Sequence, residues 1–231
     1  MGLFRQLFFG TIMAVFMIIV VIGIMQSFPE LFGGYELGEG EYYTTDCRNQ
    51  FFGPCNTYNN AFCHYINGKD LEVRKAASEA ASQHPGPHSL EQLLDIYDYT
   101  KQNIAYISGS RDMASQPYPP NETLYTKSGD CKNQAVLIAS MAEATGGSAR
   151  VVLIPECGHA YAEALLGPKE KADEYREAIL AHYGSTPEMT LTLDADGSVW
   201  LPLDPAGGQY PGDFYDPCLN AKERYYVYEC G

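Results

Sequence analysis

The hydropathy pattern is most pronounced at the start of the chain, where Leu7 to Met25, LFFGTIMAVFMIIVVIGIM, contains no charged side chain. As a helix rising about 1.5 Å per residue, such a run is long enough for the roughly 30 Å hydrocarbon core of a bilayer. It predicts a transmembrane anchor over residues 1–26. A cleaved secretory signal and a buried core helix are the alternatives. A signal has an apolar stretch of only about 7–15 residues and a small-residue cleavage site, and no A-x-A pattern follows this run. Residues 27–68 lose apolar periodicity and are rich in Gly, Tyr and Asn, which predicts a cysteine-containing linker and an irregular lead-in. Periodicity returns in residues 69–231, expected to form one catalytic domain.

Leu71 to Gln83, LEVRKAASEAASQ, is composed of strong helix formers and is stopped by Pro85, Gly86 and Pro87. A second helix is expected from the N-cap Ser89, with Leu90, Leu93, Leu94, Tyr97 and Ile104 at mostly helical spacing. Residues 108–128 contain Gly, Ser, Pro and Asn and predict a long loop, of a kind that often lines functional sites. A third helix is expected from Cys131 to about Ala144. Ala135, Ile138, Ala139 and Ala142 form its apolar face, and Gly146-Gly147 ends it.

The remaining pattern alternates as in strands. Ala149–Ile154, Ala160–Leu166, Met189–Leu193 and Val199–Leu203 are the expected strands, with a charged surface helix over Glu170–Tyr183 between them. Asp194-Ala195-Asp196-Gly197 reads as a hairpin turn rather than a calcium loop, because the closing acidic ligand is missing. Helices followed by an antiparallel sheet make an α+β arrangement.

Charge and cysteine usage bear on the surroundings. Asp and Glu number 29 against 15 Lys and Arg, a net charge of −14 that repels phosphate backbones and argues against nucleic acid. Arg5 precedes the apolar run, whereas Glu30, Glu36, Glu39 and Glu41 follow it with no Lys or Arg before Arg48. The positive-inside tendency then puts the N-terminus in the cytoplasm and the domain outside the cell. Seven cysteines are present: Cys47, Cys55, Cys63, Cys131, Cys157, Cys218 and Cys230. Outside the cell six can pair, and Cys131 is the best candidate for the odd thiol. A metal site of Cys47, Cys55, Cys63 and His64 competes with this, but the close C-x2-4-C pairs of structural zinc are missing, so no metal is expected. Asn121-Glu122-Thr123, after Pro119-Pro120, fits a glycosylation acceptor at Asn121.

Cys131 follows Ser128-Gly129-Asp130 at the expected start of a helix, where unpaired N–H groups and the helix dipole favour a thiolate. Its own N–H is placed to stabilise charge on a substrate carbonyl. His159 opens a strand after Gly158, which suits a rigidly held base, and Asp204 ends Trp200-Leu201-Pro202-Leu203 beside a strand that can orient the imidazole. His84 and His88 flank a Pro-Gly-Pro turn and His182 sits at a helix end, all readily structural.

In order and spacing, several segments together resemble the transglutaminase-like superfamily over Leu90 to Gly208, roughly half the chain. They are Asn103-Ile104-Ala105-Tyr106, Gly129-Asp130-Cys131, Gly147-Ser148-Ala149-Arg150-Val151-Val152, His159-Ala160-Tyr161 and Trp200-Leu201-Pro202-Leu203-Asp204-Pro205. The resemblance implies a papain-like triad acting on amide bonds, carried here by Cys131, His159 and Asp204, with no cofactor. It also implies a side chain upstream of the nucleophile completing the oxyanion hole, for which Tyr125 is the nearest candidate. Two departures bear on substrate preference: Tyr161 stands where many relatives carry tryptophan, and Lys132-Asn133-Gln134 replaces an acidic residue often found there. The expected activity is acyl transfer, by hydrolysis or transamidation, on a surface peptide, a protein or a cell-wall amide. A catalytically inactive surface module of the same fold is the alternative, given 18 tyrosines for partner contacts.

Overall fold

The computed structural model of the chain describes residues 43–48, 50, 52–184 and 189–230. The apolar run over residues 7–25 lies outside the described residues, and among those that are described no helix is long and apolar enough to cross a membrane.

β1 (Tyr43–Asp46) and α1 (Gly53–Phe62) occupy part of the stretch expected to be irregular. Pro54 opens α1, where a missing N–H leaves no bond unmade, and Cys55, Ala61 and Phe62 are buried. α2 (Leu71–Ala80) starts at Asp70, whose carboxylate accepts the Glu72 and Val73 N–H groups at 2.9 and 3.1 Å. It is shorter than expected because Ala81–Gln83 tighten into a 3₁₀ turn. α3 (Leu90–Asn103) follows Ser89, whose hydroxyl accepts the Gln92 N–H at 3.4 Å.

The stretch from 108 to 128 is not loop throughout. After the two-residue β2 (Ala105–Tyr106), residues 120–126 form α4 (Pro120–Thr126), and Lys127 at φ 51° turns the chain into β3 (Ser128–Gly129), which pairs in parallel with β2. Prolines that read as loop signals serve instead to begin a helix. Asn121 is thus exposed in the first turn of α4 rather than in a loop.

α5 (Cys131–Ala144) is buried at every position from Cys131 to Ala142. It was expected to bury one apolar face, but α2, α3 and α4 pack on one side of it and the sheet on the other, so no side is left to solvent. β4 (Ala149–Ile154) and β5 (His159–Pro168) form an antiparallel hairpin beneath it. Ala160, Ala162 and Ala164 of β5 join the helical-side core, and their small side chains let α5 come close. α6 (Ala172–Tyr183) is the expected charged helix. β6 is only Thr192–Leu193, β7 is Ser198–Leu203, and Gly197 at φ +84° makes the hairpin turn between them.

β8 (Glu223–Val227) completes a six-stranded sheet in the order β1-β8-β4-β5-β7-β6. All neighbours are antiparallel except β1 and β8, so the sheet is mixed rather than purely antiparallel. Its second face carries Val152, Ile154, Tyr161 and Tyr226 and is covered by Phe214, Cys218 and Ala221 from the segment after β7. With both faces covered, the fold is α+β, as the element order implied.

Three disulfides tie the chain: Cys47–Cys55 joins β1 to α1, Cys63–Cys230 joins the end of α1 to the C-terminal tail, and Cys157–Cys218 joins the β4–β5 turn to the segment covering the second face. Cys131 is the free cysteine. Cys63, His64 and Cys230 lie close enough together to hold a metal ion, but two of the three sulfur and nitrogen donors are the sulfurs of one disulfide.

Candidate active site

α5 begins at Cys131 because Asp130 caps it, its carboxylate accepting the Asn133 N–H at 3.1 Å. The β2–β3 ladder fixes the approach, with the Ile107 N–H donating to the Gly129 carbonyl at 3.0 Å. The next three residues are polar and buried, and each fastens an earlier segment. Lys132 Nζ donates to the Ser110 carbonyl and pairs with Asp130 at 3.3 Å. Asn133 Oδ1 accepts the Tyr118 N–H at 2.9 Å, and Gln134 Nε2 donates to the Ile104 carbonyl at 3.3 Å. The Lys-Asn-Gln departure therefore anchors the wall in front of the sulfur.

His159 is the first residue of β5, held in register opposite Ile154 of β4. Asp204 follows β7, which is hydrogen-bonded to β5, so the sheet carries imidazole and carboxylate to the same end. Asp204 Oδ2 lies 2.7 Å from His159 Nε2 and accepts the Tyr215 N–H at 3.1 Å, while Oδ1 accepts the Gly207 N–H at 3.0 Å. A Cβ on Gly207 would lie 2.6 Å from Tyr215 Cβ and 2.8 Å from Asp204 Oδ2, so this close turn requires glycine.

Asp204 and Cys131 both act on the charge of the His159 imidazole. Burial is the largest influence on the imidazole and favours its neutral form. The hydrogen bonds and charges of Asp204 and Cys131 together outweigh it and push the His159 pKa up to about 10. An imidazolium is thus favoured between sulfur and carboxylate. Cys131, His159 and Asp204 are 6%, 5% and 1% exposed, so water screens this array little.

Cys131 and His159 open into a cavity of about 210 Å³ that Tyr106, Arg111, Asp130 and Tyr215 also line. A larger cavity of about 620 Å³ lies at the other end of α5 beside Glu143 and Gly147, but it contains no cysteine or histidine and so lacks a thiol–imidazole pair. Tyr125 does not join the site. It is 89% exposed on α4, and the tyrosine lining the cavity upstream of Cys131 is Tyr106. Proximity in sequence favoured Tyr125, whereas the parallel pairing of β2 with β3 puts Tyr106 opposite Gly129. Arg111 and Tyr215 also went unread. Neither belongs to a periodic segment, and only the fold brings their loops to the sulfur.

Comparison with curated proteins finds no match. Among solved structures, a candidate protease of Parabacteroides distasonis is 16% identical with a TM-score of 0.39, over 48% of this chain and 24% of that one. A candidate cysteine protease of Cytophaga hutchinsonii is 15% identical with a TM-score of 0.37, over 73% of this chain and 48% of that one. This chain therefore spans about a quarter and about half of those two lengths, and likeness at this level carries no argument. The family comparison differs: residues 74–205 match the model of the transglutaminase-like superfamily. A match that takes in more than half of the sequence, running from α2 to just past Asp204, shows that this chain belongs to the transglutaminase-like superfamily.

Proposed function

We propose that this protein is a membrane-anchored cysteine enzyme that hydrolyses amide bonds outside the cell, with Cys131 as nucleophile, His159 as acid and base, and Asp204 as orienter. One observation carries the reading: the single free cysteine among the described residues begins a buried helix and lines one small cavity with an imidazole whose Nε2 is 2.7 Å from a buried carboxylate. Family membership supports cysteine-dependent chemistry in general.

The Cys131 sulfur bonds to the substrate carbonyl carbon, the C–N bond breaks, and His159 delivers its proton to the departing nitrogen. Water then gives a proton to His159 while its oxygen bonds to the same carbon, and the C–S bond breaks. An amine in place of water completes a transamidation. Hydrolysis is the preferred outcome because the rim is open to water, with Tyr106 53% exposed and Tyr215 36%. The backbone N–H of Cys131, in the first turn of α5, has no intrahelical acceptor and is the oxyanion donor of this scheme.

Alkylation with iodoacetamide, without reduction, tests the thiol: intact mass should show one label, mapped to Cys131. Zero labels, or a label elsewhere, would overturn its role. Turnover should fall as pH rises through about 10, where His159 loses the proton that the leaving nitrogen needs. A flat alkaline limb counts against His159 as the acid.

The location rests on the apolar run over residues 7–25, the charge asymmetry around it and the three disulfides, which persist in oxidising compartments. The protein should remain in the membrane fraction after carbonate washing and be cut by protease added to intact cells. A soluble product lacking the run would mean cleavage instead.

A further inference from the structure

Resting on the acyl-transfer reading, we propose that Arg111 forms a carboxylate-binding subsite of the Cys131 cavity, so that the substrate is an amide with a carboxylate close to the bond attacked. Arg111 lines that cavity, and among the described residues its guanidinium has no ion-pair partner. Arg111 is exposed, and with 29 acidic against 15 basic groups the chain offers few cations that could stand beside the nucleophile. Its neighbour Asp112 forms no ion pair with it, and Asp112 Oδ1 accepts the Ala114 N–H at 2.9 Å. Asp130 and His159, also on the cavity wall, each have a partner: Asp130 pairs with Lys132 at 3.3 Å, and His159 with Asp204 behind it at 2.7 Å.

The segment carrying Arg111 is held from two sides. Lys132 grips the Ser110 carbonyl, and Gly109 packs so tightly on Asp130 that a Cβ there would meet Oδ2 at 2.0 Å. On the other side Arg111 rests on Gly158, the residue before His159. A Cβ on Gly158 would come within 3.0 Å of Arg111 Cβ and 3.2 Å of its carbonyl oxygen, and Gly158 itself sits at φ +64°. The stem of Arg111 is thus located by the same elements that locate sulfur and imidazole. A guanidinium offers a planar donor fork that fits a carboxylate. The cavity, about 210 Å³, has room for roughly seven waters at about 30 Å³ each, which suits one residue of a substrate and not a folded partner. A side-chain carboxylate and a free C-terminal carboxylate both satisfy this chemistry.

The test uses peptide vinyl sulfones that alkylate Cys131 in the full-length protein. One probe carries Glu beside the electrophile, one carries Gln there, and one carries a free terminal carboxylate where the others have an amide. Labelling rates are compared as ratios within each variant, which cancels any general loss of reactivity. The wild-type protein should favour at least one carboxylate probe by about tenfold over the Gln probe, and which one identifies the source. Arg111→Gln should abolish the preference, Arg111→Lys should retain much of it, and Arg74→Gln, on α2, should leave it unchanged. A wild-type ratio near one, or an Arg111→Gln ratio equal to wild type, overturns the subsite while leaving the nucleophile intact. Failure of all three probes to label Cys131 overturns the acyl-transfer reading itself.

Discussion

Cys131→Ala and His159→Ala should each abolish covalent labelling by an electrophilic amide or peptide probe and lower turnover by roughly 10⁶-fold, with the fold preserved. The first change removes the attacking sulfur. The second removes the group that shuttles its proton and leaves Asp204 without its imidazole partner at 2.7 Å. Because the groups act as one unit, the double variant should be scarcely worse than either single one. Asp204→Asn should harm turnover more than labelling. The amide retains an oxygen for a backbone N–H, but it cannot stabilise an imidazolium and it favours the wrong tautomer. Asp204 also accepts the Gly207 and Tyr215 N–H groups, so circular dichroism must show that each variant is folded before activities are compared. If all three single variants are folded and turn over a validated substrate at the wild-type rate, the catalytic assignment is wrong and a binding module of the same fold takes its place.

The second large effect concerns stability, on the sheet face away from α5. Arg150 is wholly buried. Its Nε donates to Glu163 Oε2 at 2.7 Å, its terminal nitrogens to Asp194 at 2.7 and 3.0 Å, and one of them to Tyr228 Oη at 3.1 Å. The guanidinium lies 3.9 Å from the centre of the Trp200 ring and 3.6 Å from that of Tyr226. Glu163 is equally buried and also accepts the Thr192 hydroxyl at 2.6 Å. Arg150→Met keeps most of the volume but strands the Glu163 carboxylate without its cation, which costs about 3–5 kcal/mol. Against a total stability of roughly 5–15 kcal/mol that is a large fraction, and it should appear as a lower urea midpoint. Arg150→Met/Glu163→Leu removes both charges and should regain much of the loss, since the penalty comes from the lone buried charge. A single variant within about 1 kcal/mol of wild type, or a double variant no more stable than the single one, would show that the carboxylate is solvated or satisfied some other way.

Local chemistry explains what was legible beforehand. The limits of α5 follow from Asp130 as N-cap and the Gly146-Gly147 stop, and those of α3 from Ser89, because capping is settled within a few residues. The strand Ala149–Ile154 announced itself through its Val and Ile, and an odd number of cysteines singled out Cys131. The resemblance of several segments to the transglutaminase-like superfamily then suggested His159 and Asp204 as its companions. By contrast, β8 was invisible: Glu223–Val227 has no hairpin partner next to it in sequence, and it is a strand because β1 and β4 flank it. Lys132, Asn133 and Gln134 read in the sequence only as a departure from an acidic residue often found after the nucleophile. They are buried because their acceptors and donors, Ser110, Tyr118 and Ile104, arrive from a segment that no periodicity places. Tyr106, Arg111 and Tyr215 reach the cavity for the same reason, through strand pairing and loop clamping rather than spacing. The sequence by itself determined where the capped helices α3 and α5 begin and end and which residue types carry chemistry, since those depend on groups within one or two turns. The tertiary structure alone decided which polar side chains meet at the sulfur, because that depends on contacts between segments far apart in the chain, which local propensity does not encode.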